Sequence, residues 1–159
     1  MTDRSLARRR AGFTLVELIV VVAVLGLLAA VAMPKFSGVA DESRRSAFAA
    51  QLGTFVDALE TYHAEHGSWP SDSPTRQMPP ELSPYLNATA WESRTPLDGE
   101  WDFEPNVGGV TAAVGVQYYY GTPVPTDLEA VDAVLDDGNT ETGSLRWVTT
   151  DRFYFVLEE

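Results

Sequence analysis

Cysteine does not occur anywhere in the 159 residues. Disulfide staples, thiol chemistry and cysteine-based metal sites are therefore excluded. Histidine is nearly absent as well, with two residues in His63-Ala-Glu-His66. These share a helix face at i and i+3, but no third ligand stands at a motif spacing, and histidines in a last helical turn suit the negative end of the helix dipole. Positive charge is scarce beyond the N-terminus. From Lys35 to the end, 21 Asp and Glu face 7 Lys and Arg, an excess of 14 negative charges. A body of that sign repels phosphate backbones, so nucleic acid is not expected as a partner. No G-x-S-x-G nucleophile turn, no metal-ligand spacing, no long repeat and no low-complexity tract occurs.

What the chain does have is a long apolar run behind a basic start. Arg4, Arg8, Arg9 and Arg10 stand against the single acid Asp3 in residues 1–12. From Phe13 to Met33 the strongly polar side chains are Thr14 and Glu17 alone. As a helix, those 21 positions span about 31 Å at ~1.5 Å per residue, enough for a ~30 Å hydrocarbon layer. The positive-inside rule puts the N-terminus in the cytoplasm and the acidic body on the other side. A plain single-pass anchor fits this pattern. So does a secretory signal peptide cut after Ala30-Val31-Ala32, although the run is long for an h-region, Pro34 follows closely, and Glu17 is left unexplained.

A third reading accounts for Glu17. The stretch Arg10-Ala11-Gly12-Phe13-Thr14-Leu15-Val16-Glu17-Leu18 resembles the prepilin signature of type IV pilins and type II secretion pseudopilins. The resemblance extends to about Gly67 and combines a basic leader, a Gly-Phe junction, a glutamate four residues on, and an apolar run ending at Pro34. It implies that a prepilin peptidase cuts between Gly12 and Phe13 and methylates the new amine of Phe13. It further implies that Glu17 guides assembly of the subunit with other pilin or pseudopilin subunits, at an inner-membrane platform. The expected locale is the bacterial inner membrane, with the head periplasmic or extracellular and a filament after assembly. Physical chemistry is consistent with that role. A buried charge left alone costs several kcal/mol, whereas a carboxylate meeting the amine of a neighbouring subunit recovers much of this and penalises wrong registers. The alternative is a glutamate that snorkels to lipid headgroups.

Beyond Pro34 the pattern stays helical. Phe48, Leu52, Phe55, Leu59 and Tyr62 recur at +4, +3, +4 and +3, an amphipathic stripe. One helix from about Thr14 to Glu65 is expected, kinked at Pro34 and closed by Gly67. The organisation is then a basic leader (1–12), a transmembrane and assembly half of the helix (13–34), an amphipathic half (35–66) and an acidic globular head (67–159).

Within the head, residues 67–84 read as a surface connection and Pro79–Leu86 as a site for one short helix. Strands are expected over Glu100–Glu104 and Thr111–Tyr120, joined by a turn at Val107-Gly-Gly-Val110. A helix is expected over Thr126–Asp137, with Thr126-Asp-Leu-Glu129 as capping box and Gly138 as stop. Leu145–Thr149 and Phe153–Leu157 should pair across Thr150-Asp151. The fold class is α+β, a long helix on a small antiparallel sheet, as the resemblance also implies. Some major pseudopilins bind calcium in a C-terminal acidic loop, which makes Asp136, Asp137, Asn139 and Glu141 candidate ligands; the spacing departs from the D-x-D-x-D-G loop, and a helix end running into a polar turn is the favoured account of them. Thr95-Pro-Leu-Asp-Gly-Glu-Trp101 stands where many major pseudopilins have Asp-Pro-Trp-Gly, and the paired cysteines of many pilin heads are missing. The expected function is therefore a structural subunit of a secretion pseudopilus or type IV pilus, without enzymatic activity. A membrane-anchored enzyme and a ligand-binding minor pilin are the competing classes.

Overall fold

The stripe from Phe48 to Tyr62 decides which face of the long helix is covered. Phe48, Leu52, Phe55 and Leu59 are each 2% exposed or less, and Tyr62 is half-buried at the margin of the same cluster. The computed structural model describes residues 13–119 and 128–159, apart from the side chains of residues 31–37. The leader with Gly12, and the capping residue Thr126, lie outside the described residues. Helix α1 spans Leu15–His66 and stays helical through Pro34, whose side chain is among those not described. The kink expected at Pro34 therefore lies outside what is described. Gly67 follows with φ of 69° and donates its N–H to the His63 carbonyl at 2.8 Å, the C′ arrangement its position implied.

The chain divides into two compact units, Met1–Ala40 and Asp41–Glu159. The second unit joins the amphipathic half of α1 to a four-stranded antiparallel sheet, an α+β head. Its strands are β1 (Glu100–Val107), β2 (Val110–Gln117), β3 (Leu145–Trp147) and β4 (Arg152–Glu158), in the order β1-β2-β4-β3. β1 and β2 form the expected hairpin, with Val107 opposite Val110 and positive φ at both Gly108 and Gly109. That combination is the type I′ turn whose twist matches the strands. The return strand ends at Gln117, before the expected Tyr120, which lies outside the described residues. The C-terminal hairpin also forms, but its tip is one residue longer than the expected Thr150-Asp151. Val148 donates to the Arg152 carbonyl, and the Thr149 hydroxyl braces the Asp151 carboxylate at 2.7 Å.

Strand alternation sends Trp101 and Phe103 of β1, Val114 and Val116 of β2, and Phe153 of β4 into the core with the α1 stripe. Trp101 stacks on Phe48 at 5.1 Å and meets the edge of Phe55 at 4.9 Å. Phe55 in turn packs on Trp91 at 4.8 Å. Trp91 ends a helix that the sequence pattern does not announce, α2 (Ala88–Trp91), capped by the Asn87 side chain accepting from the Thr89 N–H. The short helix expected over Pro79–Leu86 is a single 3-10 turn, Pro80–Leu82, which buries Leu82. Helix α3 (Leu128–Leu135) buries Leu128 and Val131 and stops before Gly138. Arg44 fastens α1 to the head loop, donating to the Pro96 carbonyl at 2.8 Å and to Asp98 at 2.5 Å.

Truncating Phe48 removes a fully buried ring from the centre of this cluster. Phe48→Ala should lower unfolding free energy by about 3–5 kcal/mol, whereas Tyr119→Ala, at a half-exposed position, should stay within about 0.5 kcal/mol. Denaturant unfolding followed by tryptophan fluorescence checks both.

Candidate functional site

The described apolar side chains at the start of α1 are exposed. Every large apolar side chain from Leu15 to Leu28 is at least 51% exposed, and Phe13 is 81% exposed. Apolar residues point in all directions around the helix axis, so no single face can be satisfied by one packing surface. A surface of this kind marks a site of association with lipid or protein. Among the described residues, no helix is long and apolar enough to cross a membrane. The described part of the apolar run at the start of α1 extends from Leu15 to Ala30, about 24 Å at ~1.5 Å per residue.

Glu17 sits in the first turn of this helix, and its environment is built locally. Thr14 is the residue before the helix, and its N–H and its hydroxyl both donate to Glu17 Oε2 at 2.8 Å. The Glu17 N–H donates back to the Thr14 hydroxyl at 3.3 Å. This is a reciprocal capping box, which satisfies helix-end donors and holds the carboxylate at the positive end of the dipole. Thr14 is thus a positioning residue that a reading of Glu17 as a lone charge omits. The signal was in the Thr-x-x-Glu spacing of Thr14-Leu-Val-Glu17. Phe13 lies immediately before the cap, fully accessible; Gly12 is outside the described residues.

The second candidate region is the acidic segment after α3. Three carboxylates, Asp132, Asp136 and Asp137, bring oxygens within 4.8 Å of one another. Two of the expected candidates, Asp136 and Asp137, belong to that group. Glu141 does not, and the Asn139 side-chain oxygen accepts from the Glu141 N–H instead. Asp132, on α3, is the member that the loop composition does not reveal; helical spacing brings it beside Asp136 one turn on. It is fully buried, and neither oxygen has a hydrogen-bond partner of good geometry. Burial pushes its carboxyl above the ordinary value, offset by the Asn139 backbone N–H and reinforced by Asp137 and Asp136. Asp136 accepts from the Ser144 and Leu145 N–H groups, and Asp137 from the Asn139 N–H and the Thr142 hydroxyl. These bonds fold residues 136–145 back onto the end of α3. The two histidines take aromatic partners, His63 stacking on Trp69 at 4.1 Å and His66 on Tyr62 at 4.2 Å.

Comparison with known proteins bears on the helix. The family described as the prokaryotic N-terminal methylation motif matches residues 7–33. Type IV major pilin protein PilE1 of Neisseria gonorrhoeae is 27% identical over 140 residues, covering 79% of this chain and 64% of that protein. A type IV major pilin protein PilE of the same organism is 26% identical over 158 residues, covering 89% of this chain and 95% of that protein. Type II secretion system core protein G of Pseudomonas aeruginosa is 33% identical over 64 residues, covering 40% of this chain and 45% of that protein. The chain thus spans less than two thirds of the length of some of these relatives and nearly all of another. No solved structure gives a significant match. The methylation motif at the start of the apolar helix, together with pilin relatives that extend across the head, makes the chain similar to type IV pilins and type II secretion pseudopilins.

Proposed function

We propose that this protein is a structural subunit of a type IV pilus or a type II secretion pseudopilus, polymerised through α1. The observation that carries the reading is the helix from Leu15 to Leu28, exposed on all sides, with Glu17 held at its entrance. In the inner membrane, lipid covers that surface as a single-pass anchor; in the filament, the helices of other subunits cover it. The cytoplasmic arginines orient the chain, and a prepilin peptidase cuts between Gly12 and Phe13 and methylates Phe13. The cut creates an amine next to the capping box. Both Thr14 donors use Glu17 Oε2, and we assign the other oxygen, Oε1, to the Phe13 amine of a neighbouring subunit. Thr14 holds the carboxylate in place, so little side-chain entropy is left to lose when the pair forms. The pair then selects one axial register among many that apolar packing alone would tolerate.

Asp132 favours a second, independent reading, a divalent cation at the acidic turn. Calcium takes six to eight oxygen ligands, and a buried carboxylate without a donor is stabilised by a cation beside it. Asp132, Asp136 and Asp137 would hold the ion, which would fasten the turn to α3 by charge neutralisation.

Intact mass of the chain expressed with the peptidase should show loss of residues 1–12 and gain of one methyl group. Cleavage after Ala32, or no cleavage, would refute the proposal. Glu17→Ala should still be cut but should form filaments poorly, as scored by electron microscopy. Calorimetric titration should give calcium heat that disappears in Asp132→Asn; absence of heat at millimolar calcium rejects the cation reading alone.

A further inference from the structure

The side of the sheet turned away from α1 carries a second polar constellation, independent of the assembly helix. Asp102 on β1, Gly115 on β2 and Tyr154 on β4 lie opposite one another across the three strands. A Cβ on Gly115 would stand 2.9 Å from the Tyr154 ring. With no side chain in the way, the tyrosine reaches over β2 and donates its hydroxyl to Asp102 at 2.5 Å. Asp102 is 2% exposed and Tyr154 is fully buried. This is an unusual place for a carboxylate, because burying its charge costs more than one hydrogen bond restores.

The cation available to it is already engaged. Arg152 of β4 donates to Glu104 at 2.6 Å, while its Nε lies 3.8 Å from Asp102 and has no hydrogen-bond partner of its own. A third acid, Asp151, stands 3.8 Å from the same guanidinium, and its other oxygen accepts from the Gln117 amide of β2. From the preceding connection, Thr75 spends its hydroxyl on Gln117. The next charges along the edge, Arg76 and Glu100, face each other at 3.9 Å. One guanidinium thus serves three carboxylates, and the buried one is served worst.

We propose that Asp102 is a proton-operated switch in the head: protonated, it leaves Arg152 to Glu104, and on losing its proton it draws Arg152 across and releases Glu104 to solvent. The unsatisfied Nε supplies the second position of the guanidinium, and partly exposed Glu104 is the group that gives way. Burial, the largest influence, raises the Asp102 carboxyl to about 6; Tyr154, Arg152 and the nearby Thr75 hydroxyl oppose the rise and Glu104 adds to it. Because the folded value lies above the usual carboxylate value of 3.8, the folded head holds this proton more tightly than the unfolded chain does. Its contribution to stability is therefore fully present below the unfolded value and fades as pH rises through about 6. Two pH units of separation correspond to about 100-fold in the folding equilibrium. The switch changes both the firmness of the head and the charge on its outer face.

The test uses the full chain in detergent micelles, with carboxyl-carbon NMR of Asp102 from about pH 4 to about pH 8. The expected midpoint is about 6, moving lower in Glu104→Gln, where Arg152 is free to turn to Asp102. A midpoint in the ordinary carboxylate range, or one that Glu104→Gln leaves unmoved, overturns the switch. Thermal melts over the same range supply a second readout. The wild type should melt at lower temperature as pH rises, and Asp102→Asn should lose part of that dependence, the remainder belonging to other groups such as Asp132. An equal pH dependence in Asp102→Asn and wild type overturns the proposal. None of these outcomes depends on filament formation, so they stand apart from the assembly reading.

Discussion

The contact of Trp101 with Phe48 and Phe55 is the interaction on which the head depends. It joins the first strand of the sheet to α1 at two points about two turns apart, and through Phe55 it reaches Trp91. Aromatic rings dominate core energetics because each buries a large apolar area in a defined orientation. With Trp101 so placed, strand alternation fixes the rest. Phe103 follows into the core, and Asp102 and Glu104 must point the other way. The polar constellation on the outer face is thus a geometric consequence of the same strand that builds the core. With no cysteine in the chain, the head is held by this continuous aromatic and aliphatic core, and Arg44 ties α1 to the Thr95–Gly99 turn.

Charge organises the two ends of the molecule in different ways. At the start of α1, a single carboxylate in an apolar surface is held by its own neighbour Thr14, so its direction is set before any partner arrives. In the head, acids outnumber bases, and the structure distributes the few guanidinium groups among them. Arg44 goes to Asp98, Arg146 to Glu159, and Arg152 to Glu104 ahead of Asp102. Where no cation is left, backbone N–H groups take over, as they do for Asp136 and Asp137. Asp132 and Asp102 are the two buried acids that this distribution serves least.

Much of the architecture was legible from local pattern. The long helix and its Gly67 stop, the Gly108-Gly109 hairpin, the third helix with its Gly138 stop and the C-terminal hairpin all rest on interactions between residues close in the chain. Periodicity and turn chemistry report such interactions directly. The misses have the opposite character. Helix α2 is too short to show a period and exists to seat Trp91, and the expected helix over Pro79–Leu86 shrinks to one turn around buried Leu82. The capping role of Thr14 was legible in principle, since a Thr-x-x-Glu spacing needs nothing beyond one helical turn.

The sequence by itself determined the basic-apolar-acidic order of the chain, the position of Glu17 in the first turn, and which face of α1 would be buried. Each follows from helical geometry and residue polarity within a few turns. Only the tertiary structure decided that β4 lies between β2 and β3, that Tyr154 crosses Gly115 to reach Asp102, and that Asp132 is buried without a hydrogen bond of good geometry. Strand order and the burial of a particular carboxylate depend on contacts between residues tens of positions apart. Those contacts leave no local period, so they exist only once the chain has closed on its core.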